Sequence, residues 1–388
     1  MLECQKHGFS IPEGRHYLNC AYMGPLSRRV QAAGAEGIRR KADPSGITAR
    51  DFFDESDEVR RLFAQLLGAR DATRVAILPA VSYGTATIAR NTRVRRGQNI
   101  VIAGEQFPSN VYAWRALCPN HDASLRVVPA PESERRAEAW SASLVEAIDA
   151  DTALVALPHV HWTDGTLFDL ASIGDRARVH GAAFVIDASQ SLGALPLDLE
   201  RVRPDAVICA GYKWLLGPYS LALGWFGDRY DGGEPLEETW IARDGSDDFQ
   251  GLVLYRDEYQ PGAIRYDVGE RSNFILMPMM RAALEQILSW RPERIQAYCA
   301  ALMAEPLAEA RSLGFRVEDD DWRGAHIAGL RLPHGTDLAA LAATLDGAQI
   351  SVSLRGSAMR VAPNVYNDAE DVAALSTVLR HSVGQFVR

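Results

Sequence analysis

The sequence predicts an α/β protein built on a mostly parallel open sheet. Short apolar runs at residues 184–187 and 206–210 alternate with helical stretches, the strand–helix–strand rhythm of such a sheet. The runs are continuously apolar, as suits strands covered on both faces. Two of them end in reactive residues, Asp187 and Lys213, and parallel strands open their carboxyl ends into a common crevice. An acid and an amine are therefore expected to face one pocket.

Taken in order, residues 1–27 form an N-terminal arm, 28–277 a large domain, and 278–388 linking helices with a small α+β domain. The arm's "HYLNCAYMGPLS" is extended and broken by Gly24 and Pro25. Residues 28–69 are charged and helical, with Phe52, Phe53, Val59, Leu62, Phe63, Leu66 and Leu67 near helical spacing and Gly68 as the cap. Residues 75–91 pass from an apolar strand through Pro79 into Ser82, Tyr83, Gly84 and Thr85, and then into a helix. A small, hydroxylated turn opening a helix suits an anion, because free backbone N–H groups and the helix dipole converge there. Ser and Thr also serve as plain N-caps at such positions. The candidate anion ligands are the Ser82 hydroxyl and the amides of Tyr83 and Gly84.

Residues 99–114 give another strand and a loop carrying Phe107, which alone reads equally well as core. Residues 152–170 end a strand in His159, His161, Trp162, Thr163 and Asp164. The His-x-His pair lacks a third ligand nearby in sequence, so no metal is expected. A crossover helix at 169–181 returns the chain to the 184–187 strand. Residues 227–251 make a long polar excursion, residues 278–313 are helical, and residues 315–332 and 350–361 alternate as strands.

Composition narrows the function. The chain has 388 residues, enough for more than one core, and a net charge of −9 without a basic block, so nucleic acid is not an expected partner. The first residues show no secretory leader, and residues 206–226, the longest apolar stretch, are interrupted by Gly211, Lys213, Gly217 and Pro218. The expectation is a cytoplasmic protein without a membrane span. Five scattered cysteines without Cys-x-x-Cys spacing read as reduced thiols. Neither a dinucleotide glycine fingerprint nor a G-x-x-x-x-G-K-[ST] loop occurs, which counts against nicotinamide cofactors and nucleoside triphosphates.

Of the 41 basic residues only Lys6, Lys41 and Lys213 are lysines. A chain so biased to arginine keeps Lys213 beside Trp214 and Leu215, in apolar surroundings. Guanidinium cannot deprotonate and cannot act as an amine nucleophile, whereas a buried lysine can do both. A structural lysine paired with an acid is the alternative.

"VIDASQSLGALPLDL", "PDAVICAGYKWLLGP" and "ALGWF" resemble the fold-type I, pyridoxal-phosphate-dependent aminotransferase class V family, which includes cysteine desulfurases, kynureninase, isopenicillin N epimerase-like enzymes and C–S lyases. The resemblance runs along most of the chain. It implies a seven-stranded, mostly parallel sheet in the large domain and pyridoxal 5'-phosphate as cofactor. It also implies that Lys213 carries the cofactor as a Schiff base, Asp187 pairs with its pyridine nitrogen, and Gln190 hydrogen-bonds its phenolic oxygen. The Ser82–Gly84 turn becomes the phosphate loop, and the N-terminal arm lies over the site. Phe107 takes the ring-stacking place that desulfurases give to histidine. "HVHWTDG", with Trp162 and Thr163, resembles the segment reaching the ring face and the substrate. "VSLRGSAMRVAPNVYN" resembles the carboxylate-binding segment, with Arg360 first and Arg355 second as candidates, since a guanidinium fork suits a carboxylate. Arg265, Glu270, Arg271 and Ser272 resemble a segment that reaches the neighbouring subunit's phosphate, implying a homodimer with a shared site; a solvated loop is the plain alternative.

Departures from the pattern bear on the reaction. Ala210 and Tyr212 stand where desulfurases have serine and histidine, so phosphate binding leans on Ser82, Tyr212 and the partner subunit. No cysteine lies between Leu313 and Arg388, where a desulfurase needs a thiolate. The expected function is a reaction at Cα or Cβ of an amino acid, with transamination first and C–S lysis or epimerisation second. A non-catalytic cofactor-binding regulator and a nicotinamide oxidoreductase are the readings from other classes.

Overall fold

The computed structural model describes residues 2–332, 336–356 and 358–385. The arm contributes β1 (His16–Tyr17), followed by α1 (Arg28–Ala42) and α2 (Asp54–Leu67). The large sheet then builds through β2 (Val75–Leu78), α3 (Val81–Asn91), β3 (Asn99–Ala103), α4 (Ser109–Asn120), β4 (Ser124–Val128), α5 (Arg136–Ala147) and β5 (Thr152–Pro158). It closes with α6 (Leu170–Val179), β6 (Ala183–Asp187), α7 (Leu199–Val202), β7 (Ala206–Ala210) and β8 (Ala222–Phe226).

The seven strands lie in the order β2-β8-β7-β6-β5-β3-β4. All neighbours are parallel except around β8, which runs antiparallel to both β2 and β7. Strands β2, β3, β5 and β7 are buried along their whole length, in keeping with sequences that are apolar apart from Asn99 and Thr152 at the starts of β3 and β5. Alternate residues feed two cores: Val101, Val155 and Ile186 face one, and Ile100, Leu154 and Val185 the other. Burying both faces leaves the carboxyl-end loops as the natural place for function.

The C-terminal part comprises α8 (Leu276–Trp290), α9 (Pro292–Ser312), β9 (Ala328–Arg331), α10 (Leu338–Gly347), β10 (Ile350–Ser351), β11 (Ser353–Arg355), β12 (Ala358–Val361) and α11 (Ala369–Gln385). Strands β11, β12 and β9 form a three-stranded antiparallel sheet in that order. The expected strand at 315–332 shrinks to β9, with one bridge from Arg316 to Arg331. The 277/278 boundary falls inside α8, which packs on α1 and α2. The arm also belongs elsewhere than its sequence position suggests. Strand β1 pairs in parallel with β10, so residues near the start complete the small domain.

Two further ties join the parts. Asp164, after β5, is paired with Arg331 on β9 and with Arg136 on α5, and Gly329 N–H donates to the Asp164 carbonyl at 2.9 Å. Burial pushes the Asp164 carboxyl up, but His161, Arg331 and Arg136 outweigh it and hold it well below the usual carboxylate range. Among the described residues no helix is long and apolar enough to cross a membrane.

Candidate active site

At the carboxyl ends of the sheet lies a cavity of about 380 Å³ lined by Ser82, Phe107, Trp162, Asp187, Gln190, Tyr212 and Lys213, among others. The floor comes from β6 and β7. Asp187 ends β6, and its Oδ1 accepts the Ser189 amide at 2.9 Å. Ser189 Oγ in turn accepts the Ala210 amide at 3.1 Å, tying the two strand ends together. Lys213 follows three residues beyond β7 and is 7% exposed. No direct ion pair forms between Asp187 and Lys213, and the amine instead lies 5.3 Å from the Phe107 ring centre and 5.7 Å from that of Tyr212. Burial lowers the Lys213 pKa to about 8, with Asp187 acting in the opposite direction. Burial also pushes the Tyr212 hydroxyl up.

Gln190 is gripped on every side. Its Nε2 donates to the Ala21 carbonyl at 3.0 Å and its Oε1 accepts from Trp214 Nε1 at 2.9 Å. Both partners have fixed chemistry, an acceptor and a donor, so the amide orientation is settled by the network. One Nε2 hydrogen remains for the cavity. Behind Gln190, its carbonyl lies 2.7 Å from His326 Nε2, while His326 Nδ1 lies 2.8 Å from Gln296 Nε2. An amide nitrogen can only donate, so His326 accepts at Nδ1 and donates from Nε2. Burial lowers its pKa to about 4, which keeps the ring neutral.

The arm packs against residues of the site. Gly24 N–H donates to the Tyr212 carbonyl at 2.8 Å, and a Cβ on Gly24 would collide with the Lys213 carbonyl. Glycine is required there by that close approach.

The anion turn needs a correction. The amides of Tyr83 and Gly84 both donate to the Ala80 carbonyl, at 3.1 and 3.4 Å, because the helix begins two residues earlier than its hydroxyl signals suggest. The amides left free at the start of α3 are those of Val81 and Ser82, and both residues line the cavity. Gly84 packs against Leu78 and Ile208 instead, and the Tyr83 hydroxyl is buried without a hydrogen-bond partner.

Phe107 is placed by its neighbour Gln106, whose side chain donates to Ala156 on β5 at 2.9 Å and accepts from Asn110 at 2.7 Å. Its ring meets Trp162 edge-on at 5.5 Å. Trp162 Nε1 donates to the Glu105 carbonyl at 2.6 Å. Thr163 turns away and lies 2.8 Å from His161 Nδ1. Arg360, 1% exposed on β12, donates to the Trp162 carbonyl at 2.6 Å and to Ser353 Oγ at 3.4 Å. Arg355 stands 5.6 Å over the Trp162 indole. Arg271, expected to reach the neighbouring subunit's phosphate, is 1% exposed within its own chain and paired with Asp267, which Arg60 also holds. Ser189, Tyr219, Ser220 and Leu221 line the cavity without having been singled out in the sequence. Ser189, a small hydroxylated residue between Asp187 and Gln190, is the one with a usable signal. His159 and His161 hold no metal cluster, and no group of three ligating side chains occurs among the described residues.

Residues 45–385 match the aminotransferase class-V family. The chain is a member of that family. It is 23% identical over 366 residues to an uncharacterized aminotransferase, YcbU, of Bacillus subtilis (strain 168), covering 94% of this chain and 90% of that protein. It is 24% identical over 383 residues to isopenicillin N epimerase of Streptomyces clavuligerus, covering 95% of each. Among solved structures, a cystine C–S lyase, C-DES, in complex with its reaction product cysteine persulfide superposes with a TM-score of 0.84 at 18% identity, covering 97% of this chain and 99% of that one. The fold is that of fold-type I enzymes.

This class-V enzyme uses pyridoxal 5'-phosphate. The residues present fit that cofactor. Free amides at a helix start suit a phosphate, a desolvated amine suits Schiff-base formation, and the amine and acid stand apart with no bond between them.

Proposed function

We propose that this enzyme acts at Cα of an amino-acid substrate, with transamination as its reaction. The observation that carries the reading is Lys213, an amine desolvated to a pKa of about 8 that faces Asp187 across a cavity walled by aromatic rings. When bound, the cofactor supplies an aldehyde carbon for imine formation and a ring that accepts an electron pair from Cα. The chain's residues do the rest. Asp187 holds the proton on the ring nitrogen. Gln190 offers its remaining amide hydrogen to the phenolic oxygen. Val81 and Ser82 take the phosphate. Lys213 accepts the Cα proton and returns it, and a pKa close to neutrality suits both directions. Arg360 receives the α-carboxylate.

Where the proton goes decides the product: return by Lys213 to the cofactor carbon gives transamination, and delivery to the opposite face of Cα gives epimerisation. The second outcome is supported by similarity to isopenicillin N epimerase along 95% of the chain. Similarity of fold to a cystine C–S lyase keeps elimination at Cβ as a further outcome. A desulfurase mechanism lacks its nucleophile. No cysteine lines the cavity, and burial pushes the Cys20 thiol up to about 12.

The site is shared between two copies of the chain. Tyr219 lines the cavity yet is 61% exposed, and Tyr22, which follows the arm residue bonded to Gln190, is 56% exposed. A partner subunit covering these rings would close the cavity.

Incubating the purified holoenzyme with an amino-acid panel and a 2-oxo acid as amino acceptor, and scoring keto acid, the aminated acceptor, sulfide and inverted isomer separately, tests the reading. Keto acid formation that depends on Lys213 and is matched by amination of the acceptor supports transamination. Inverted isomer, or keto acid released with sulfide and without amination of the acceptor, replaces it, and no turnover of any amino acid overturns it.

A further inference from the structure

Most buried guanidiniums in this protein meet a carboxylate. Arg60 and Arg271 meet Asp267, Arg136 and Arg331 meet Asp164, and Arg323 meets Asp320. Arg360 and Arg355 form no ion pair among the described residues. Their placement makes this costly. In the β11–β12 ladder Ser353 faces Arg360 and Arg355 faces Ala358, so all four side chains share one face of the hairpin. Arg355 and Arg360 are then diagonal neighbours, about 7–8 Å apart at Cβ. Like charges so placed repel, and burial worsens the repulsion. Arg360 has its pKa lowered to about 10, by burial first and by Arg355 next. The Nε atoms of both arginines are buried without an acceptor.

Both arginines bear on Trp162, one through its backbone carbonyl and the other over its indole. Trp162 lines the cavity and meets Phe107, whose ring lies beside the Lys213 amine. A run of side chains thus leads from the reacting amine to two cations that no carboxylate among the described residues neutralises. A single α-carboxylate would leave one positive charge over, on the half-buried Arg355 beside the buried Arg360. A second carboxylate would balance it.

We propose that Arg355 is a specificity-determining residue that receives a second carboxylate, so that the substrate is an amino acid whose side chain ends in an acid. This rests on the reading that the Lys213 site acts on amino acids with Arg360 at the α-carboxylate. Arg355 then discriminates by charge, and Trp162 keeps its guanidinium in place over the indole.

Two measurements on the holoenzyme test this. Calorimetric titration compares glutarate with butyrate, which has the same carbon chain less one carboxyl group. Steady-state kinetics compares L-glutamate and L-aspartate with L-norvaline. A charge-assisted contact of this kind corresponds to about 10- to 100-fold in affinity. Glutarate is expected to bind tighter than butyrate by that factor, and the acidic amino acids to exceed norvaline in kcat/KM by a similar one. Arg355→Gln should bring both ratios to about one by weakening the diacids, and Arg355→Lys should restore part of them. Equal binding of glutarate and butyrate, absence of glutarate binding, or an Arg355→Gln loss shared equally by both ligands overturns the proposal. An Arg355-dependent preference for glutarate with no turnover of any amino acid supports the diacid site while defeating the reaction assigned to Lys213.

Discussion

Two neighbouring regions, the sheet wall of the cavity and the hairpin wall of β11–β12, which meets the cavity through Trp162 and adds no lining residue of its own, are built on opposite principles. On the sheet wall the polar groups of the strand ends are tied down before any ligand arrives: Asp187 accepts an amide, Ser189 bridges to Ala210, and Gln190 is held by Ala21, Trp214 and His326. On the hairpin wall the arginines keep unmet hydrogen-bonding capacity and uncompensated charge. The first wall spends nothing on reorganisation when the cofactor binds, which suits a task common to many substrates. The second holds its need in reserve for the molecule that satisfies it, which suits selection among them.

The contrast can be broken from either side. Lys213→Ala should have the largest effect. It is expected to abolish the visible absorbance of the bound cofactor and to cost at least about 10²- to 10⁴-fold in turnover, the range for a lost general base. Carboxylate binding at the hairpin, followed by calorimetry, should survive. If borohydride reduction of the native holoenzyme leaves position 213 unlabelled, the sheet wall has been misassigned.

Next comes the joint between the walls. Asp164→Asn removes the buried carboxylate shared by the half-buried Arg331 and by Arg136, which keeps only a longer contact to Glu105, for which about 1–3 kcal/mol of stability should be lost, as read from denaturant unfolding. Because that carboxyl is held below its ordinary range, its contribution is present above the unfolded carboxylate pKa and is lost as pH falls through the folded one. The difference between native and variant stability should therefore shrink in acid.

Arg360→Met should lower kcat/KM by about 10- to 100-fold, chiefly through KM, without displacing the cofactor band. A lost band would mean that the hairpin also supports the sheet wall. The smallest effect concerns pH. Lys213 is protonated below its pKa and reactive above it, so the rate at which apoprotein takes up pyridoxal 5'-phosphate should rise through a midpoint near pH 8. An unperturbed lysine would place that midpoint near 10.5.

The sequence made the sheet wall legible and the hairpin wall only partly so. Asp187 and Lys213 end short apolar runs, a local pattern that fixes both strand and outlet, and the cavity gathers them with Gln190, Ser82, Phe107 and Trp162. The anion turn was placed two residues late because Ser82 and Thr85 look like caps, whereas Ala80 begins the helix without a side-chain cap. Thr163 and Arg271 carried the right chemistry, yet their partners, His161 and Asp267, are chosen by packing that a linear pattern does not encode. His326 lies 136 positions from the carbonyl it serves. The diagonal meeting of Arg355 and Arg360 depends on hairpin register, which two arginines five positions apart do not reveal.

The pairing of β1 with β10 carries a consequence for how the protein is made. Leu18 and Cys20 exchange backbone bonds with Ser351 and Ala362, and Ala21 then holds Gln190. During synthesis these residues leave the ribosome long before their partners exist, since His16 pairs with Ile350, 334 positions further on. A nascent chain halted ahead of Ile350 could form the central sheet and present Lys213, yet its Gln190 would lack the neighbour that orients it. The orientation of Gln190 by the arm thus waits on synthesis of the β10 segment.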